Sequence, residues 1–139
     1  MRIVFDLDET LCEKRQKGQE YSELKPIEEM VDYLRKMKLE GHYIIINTAR
    51  NMVTQDSNLG KINKNIGKVT LDWLDNWDIP YDEIYFAKPY GDIYIDDKSI
   101  RPQEILAFEE LGIGTEDRIH AYLKSGFKIK KFIKKLFLN

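Results

Sequence analysis

The sequence predicts an α/β fold, a parallel sheet covered by helices on both faces. Two observations carry this. Short β-branched, apolar runs alternate along the chain with longer segments whose apolar residues recur at helical spacing. Four of the apolar runs also end in residues able to do chemistry, as expected where the strands of such a sheet present their carboxyl ends to a ligand.

The elements follow in order. "RIVF" is a short buried strand ending at Asp6. Residues 13–25 are polar and hold Gly18, which predicts a loop or flap. Pro26 stands where a first helical residue tolerates a missing N–H. Ile27, Met30, Val31, Leu34 and Met37 form one helical face, closed by Gly41. "YIIINT" is a second buried strand, ending at Asn47 and Thr48. The Gly/Asn-rich "NLGKINKNIG" reads as a loop leading into a helix through Leu71, Trp73, Leu74 and Trp77, stopped before Pro80. "EIYFA" and "DIYID" are two further strands, the first followed by Lys88 and the second ending at Asp96 and Asp97. Pro102 opens a helix with Ile105, Leu106 and Phe108 inward and Gly112 at its end. "GIGT" is then a stop and restart, with Thr115 capping the next helix.

At 139 residues the chain is expected to form one domain with a real core. The balance is that of a globular protein, with 42% hydrophobic and 33% charged residues. A net charge of −2 gives no general attraction to nucleic acid, so no nucleic-acid partner is expected. The single cysteine, Cys12, cannot form an internal disulfide and reads as packing filler. The N-terminal run holds Asp6 and Asp8 and is unlike a signal peptide, and no stretch approaches the ~20 apolar residues that span a bilayer. Together these predict a soluble cytoplasmic protein. His42 and His120 lie outside every motif, and structural roles are expected of them.

The polar strand ends supply acids, a hydroxyl, a base and an acid pair to one edge. Those residue types suit a phosphate monoester. A carboxylate nucleophile and a dianionic phosphate repel each other, so a divalent cation held by Asp6 and the distal acids is needed; magnesium suits an all-oxygen shell with retained waters. Asp6 could attack phosphorus in line and form an aspartyl phosphate. Asp8 would protonate the leaving oxygen and later deprotonate the hydrolytic water. Thr48 would hold an equatorial oxygen, and Lys88 would supply fixed positive charge. Thr10, Asn47 and Arg50 flank these residues and are the expected substrate contacts, although Arg50 is equally readable as a surface residue.

"DLDET", the strand ending in Thr48, the isolated Lys88 and "IDD" resemble the four motifs of the haloacid dehalogenase superfamily of phosphohydrolases. The resemblance covers residues 1 to about 111. "NTARNM", "GKI", "PYDEIYFAKP" and "YIDDKSIRP" are further similar to small bacterial phosphatases of capsule biosynthesis. It implies a three-layer α/β/α Rossmann-like fold with a central parallel sheet. It makes Asp6 the nucleophile, Asp8 the acid/base, Thr48 the phosphate binder and Lys88 the charge clamp. Asp6, Asp8, Asp96 and Asp97 are the implied metal residues and Mg2+ the implied cofactor. Asp97 is placed directly on the metal, because neighbours on a strand point to opposite faces and a small residue often precedes the metal-binding acid in relatives. The implied substrate is a small phosphorylated metabolite, a sugar phosphate of surface-polysaccharide synthesis.

The chain departs from the family pattern in two places. The spacings from Asp6 to Thr48 and from Thr48 to Lys88 leave room for a flap but no cap domain. Lys88 also stands eight residues before Asp96, so it must reach the site from the short loop "KPYG". The expected organisation is a core over residues 1–125, with its flap at about 13–25, and a basic amphipathic tail over 126–139. The tail has Ile129, Phe132, Ile133 and Leu136 on one helical face and six lysines between 124 and 135 largely on the other. It can dock on the domain, pair with a second subunit or lie on an anionic membrane. The rival functions are a phosphatase of phosphoprotein or nucleic-acid ends and a phosphate-accepting signalling domain. The latter would carry its acid pair on the first strand, whereas here the pair comes last.

Overall fold

The structure, a computed structural model, describes residues 1–112 and 116–125. The tail expected over 126–139 and the cap expected at Thr115 lie outside the described residues. The chain divides into two compact units, Met1–Asp92 and Ile93–Asn139.

The first unit is α/β. Its elements are β1 (Arg2–Phe5), α1 (Glu28–Leu39), β2 (Tyr43–Asn47), α2 (Leu59–Ile62), α3 (Lys68–Asn76) and β3 (Glu83–Tyr85). The strands form a parallel sheet in the order β1-β2-β3. Register runs from Arg2 opposite Tyr43 to Phe5 opposite Ile46, and from Ile45 opposite Glu83 to Asn47 opposite Tyr85. The central strand buries Ile44, Ile45 and Ile46 in succession, so both of its faces are covered, as a parallel sheet requires.

Helix α1 buries Met30, Val31, Tyr33, Leu34 and Met37. It has Glu28 and Glu29 in its first turn and Lys36 and Lys38 in its last, which complements the helix dipole. Gly41, at φ +83°, turns the chain left-handed just past the helix, where a side chain would be strained. Pro26 does not open this helix. It sits in an antiparallel bridge with Cys12, and the Ile27 N–H donates to the Leu11 carbonyl, so the chain stays extended until Glu28.

The Gly/Asn-rich stretch is helical rather than a loop. Asn58 caps α2 by accepting from the Lys61 N–H at 3.0 Å. A π-turn over Asn63–Gly67 then carries the chain into α3. Local propensity is poor here, but Ile62 and Ile66 are buried with Met52 and pack against Tyr21, Ala49, Val69 and Phe86. Tertiary burial overrides a weak local preference.

The flap contains a 3-10 turn, Tyr21–Glu23, which packs on α3. Its anchor is Trp73, 2% exposed, whose indole N–H donates to the Leu24 carbonyl at 2.7 Å. Trp73→Phe keeps most of the apolar bulk and strands that buried carbonyl. It should lower stability by about 2 kcal/mol, read as a reduced urea midpoint at unchanged slope. A midpoint equal to wild type would show that the bond does not hold the flap.

The strand expected at "DIYID" is not formed. Ile93, Tyr94 and Ile95 are 80%, 53% and 97% exposed, and no strand runs through them. A β-branched run becomes a strand only when its N–H and C=O groups pair with a neighbour, and this run pairs with none of the described strands. The second unit contains α4 (Pro102–Glu110) and α5 (Glu116–Ser125). Pro102 stands at the start of α4 as expected, Ile105 and Phe108 are buried, and Gly112 follows at φ +65°. The Phe108 and Tyr122 rings meet edge to face at 4.8 Å. Burial, and then the Glu104 charge, pushes the Tyr122 phenol up to about 12. Among the described residues, no helix is long and apolar enough to cross a membrane.

Candidate active site

Because the three strands are parallel, their carboxyl ends open on one edge. β1 delivers Asp6, β2 delivers Thr48, and β3 leads through Phe86 and Ala87 to Lys88. The edge is tied together by backbone. The Thr48 N–H donates to Tyr85 O at 2.9 Å, and the Lys88 N–H donates to Thr48 O at 3.2 Å. The short loop after β3 is thereby hooked onto the end of β2.

This hook carries the lysine to the first strand. Lys88 Nζ lies 2.8 Å from Asp6 Oδ2, with the side chains 17% and 35% exposed. Asp6 Oδ1 accepts the Leu7 N–H at 2.9 Å, so both carboxylate oxygens are held. Thr48 is fully buried, and its hydroxyl oxygen accepts the Arg50 N–H at 3.1 Å. That leaves the hydroxyl hydrogen as its donating end.

Asp8 is fixed by the tight turn that follows β1. The Leu7 carbonyl accepts the N–H groups of Thr10, Leu11 and Cys12, and the Glu9 N–H closes on Cys12 O at 2.9 Å. Glu9 takes φ +59°, a left-handed conformation unusual for a residue with a Cβ, of the kind that collects at functional sites. Thr10 is half-buried in this turn, and Asn47, half-buried, stands in the ladder opposite Tyr85.

Arg50 is neither on the surface nor in an open position suited to a substrate contact. Its side chain is fully buried, and its guanidinium faces Asp8. Nε lies 3.0 and 3.1 Å from the two Asp8 oxygens, and Nη2 lies 2.9 Å from Oδ1. Nη1 donates to Thr70 Oγ1 at 3.2 Å, and Nη2 also reaches Cys12 Sγ at 3.4 Å. The Tyr21 ring covers the guanidinium at 4.4 Å. Desolvation drives this arrangement, because a guanidinium taken from water is tolerated only with a carboxylate and further acceptors around it.

Cys12, Tyr21 and Thr70 thus surround the site although their roles were not apparent in the sequence. The available signal was weak: one aromatic in a polar flap and one threonine on an apolar helix face. Burial, and then the Asp8 charge, pushes the Cys12 thiol up to about 12, which makes it inert as a nucleophile. The same two causes raise the Tyr21 phenol.

Asp96 and Asp97 belong to the second unit and are exposed, and Asp96 accepts the Lys98 N–H at 2.7 Å. With no strand over these residues, alternation does not separate their roles. Among the described residues, no group of three or more His, Cys, Asp or Glu gathers as a metal would require. Asp6 has the donor chemistry magnesium takes, an accessible hard oxygen ligand. Asp8 is engaged at both of its oxygens by Arg50 and keeps 36% of its side chain exposed.

No family model matches the chain, and no curated protein is similar to it. A crystal structure of a protein from Vibrio cholerae is similar: it is 33% identical, with a TM-score of 0.78, over 90% of this chain and 98% of that one. The chain belongs to the same family as that protein. The likeness to the Vibrio cholerae protein spans nearly the whole of both chains and supports the α/β fold of this family.

Proposed function

We propose that the protein is a magnesium-dependent phosphomonoesterase of the haloacid dehalogenase type, acting through an aspartyl phosphate. The observation that carries the reading is the 2.8 Å approach of Lys88 to Asp6 at the carboxyl edge of a parallel sheet, beside Thr48 and Asp8. The three-layer architecture, the uncapped site and the cytoplasmic setting belong to this proposal. So does the substrate class, a sugar phosphate or related metabolite of surface-polysaccharide synthesis, which rests on the motif resemblance.

Asp6 would supply a carboxylate ligand to magnesium. When bound, the cation offsets the charge of the carboxylate and of the phosphate dianion. The Asp6 carboxylate attacks phosphorus; the Asp6–phosphorus bond forms as the ester P–O bond breaks, and the leaving oxygen takes the proton of Asp8. Asp8 then removes a proton from water, whose oxygen attacks the aspartyl phosphate and releases inorganic phosphate and Asp6. Lys88 stabilises the charge developing on the phosphoryl oxygens, and the Thr48 hydroxyl donates to one of them.

The test is phosphate release from a panel of phosphorylated metabolites and aryl phosphates in magnesium. Many turnovers per chain are expected, abolished by excess chelator. A single stoichiometric phosphorylation would instead indicate a signalling receiver. Release from phosphopeptides or nucleic-acid ends alone would move the substrate to macromolecules, and no release from any ester sinks the proposal.

A further inference from the structure

We infer that Arg50 is a positioning residue for Asp8, and that Tyr21 of the flap fastens it. This rests on the phosphomonoesterase reading and adds to it the means by which the acid/base carboxyl is aimed. A substrate contact must present a donor to the open site, but the Arg50 side chain is fully buried and each of its three nitrogens is engaged within the protein. The cation instead addresses the carboxylate the mechanism uses for proton transfer.

The hydrogen bonds distinguish the two oxygens of Asp8. Oδ1 accepts from Arg50 Nε at 3.0 Å, from Nη2 at 2.9 Å and from the Cys12 thiol at 3.4 Å. Oδ2 takes the longer contact from Nε, at 3.1 Å. The fork therefore fixes the carboxyl plane through Oδ1, and Oδ2 is the oxygen with lone-pair capacity for the travelling proton. Asp8 keeps 36% of its side chain exposed, so it remains reachable while its partner is buried.

The flap enters through Tyr21. Its ring lies 4.4 Å from the Arg50 guanidinium carbon, and Arg15, also of the flap, stacks on the same ring at 4.5 Å. Tyr21 begins the turn that packs on α3, and Trp73 of α3 holds that turn through Leu24. A chain of contacts thus runs from α3 through the flap to Arg50 and Asp8. An ammonium could not replace this geometry, because the planar fork both engages the carboxylate through two nitrogens and stacks on the ring.

The experiment measures kcat and KM for Arg50→Gln and Tyr21→Leu across aryl phosphates of graded leaving-group acidity. A misplaced acid hurts most where the leaving oxygen needs its proton. Arg50→Gln should lose about 10²-fold in kcat with the poorest leaving group and under about fivefold with the best. Tyr21→Leu should show the same trend at about fivefold with the poorest. KM should move little. Added to Asp8→Asn, Arg50→Gln should cost less than about threefold more, since the two act as one unit.

A uniform loss across the series would reduce Arg50 to a structural role, and a raised KM at unchanged kcat would make it a substrate contact; either overturns the inference while the phosphatase reading stands. If Arg50→Gln fails to fold, the Tyr21→Leu series decides by the same criteria. A wild-type protein that turns over no ester removes the phosphatase reading and this inference with it.

Discussion

Asp6→Asn abolishes turnover while the protein stays folded. The amide keeps the shape of the carboxylate, and its oxygen can still accept the Leu7 N–H that Oδ1 accepts at 2.9 Å. It loses the negative charge and the nucleophilic oxygen. The ion pair to Lys88 goes too, but with Asp6 35% and Lys88 17% exposed, both groups can be rehydrated. The stability change should therefore stay near or below about 1 kcal/mol. Activity should fall on the order of 10⁴-fold or more, the scale seen when a covalent nucleophile is removed. The decisive measurement is acid quenching with a labelled ester. Wild type should trap a hydroxylamine-sensitive phosphoenzyme, and Asp6→Asn should trap none. Label retained on Asp6→Asn would assign the nucleophile to another group.

What the sequence revealed depended on how local each signal was. α1 and β2 were legible because their apolar periods are complete within the segment, as in Met30 to Met37 and Ile44 to Ile46. The placement of Asp6, Thr48 and Lys88 at one edge was legible because a parallel sheet sends every strand end, and the loop that follows it, to the same side. The pairing of Arg50 with Asp8 was hidden, since the two lie 42 residues apart and are brought together only by the fold. The helix over residues 59–67 was obscured by Gly60, Gly67 and two asparagines, whose preference yields only to the burial of Ile62 and Ile66. "DIYID" misled in the opposite direction. Its composition states a preference for extended chain, but pairing is a property of neighbours.

Lys88→Met lowers kcat by about 10²- to 10³-fold, the range for losing one preorganised group that faces developing charge. The variant is chosen because methionine keeps the unbranched stem and removes only the ammonium. The backbone of residue 88 should hold its place, since the N–H bond to Thr48 O at 3.2 Å does not involve the side chain. What disappears is the positive charge 2.8 Å from Asp6. Under the proposed mechanism that charge offsets the nucleophile in the ground state and, as phosphorus transfers, faces oxygens whose charge is redistributing. The second interaction changes along the reaction, so its loss appears in kcat more than in KM. If Lys88 served only to steady Asp6, the loss would follow the unfolded fraction and would vanish under conditions where denaturation curves show full folding. Measuring both on one preparation separates the two accounts. A fully folded Lys88→Met with kcat within about threefold of wild type would remove the charge clamp from the mechanism and leave the lysine a structural tie between the ends of β1 and β2.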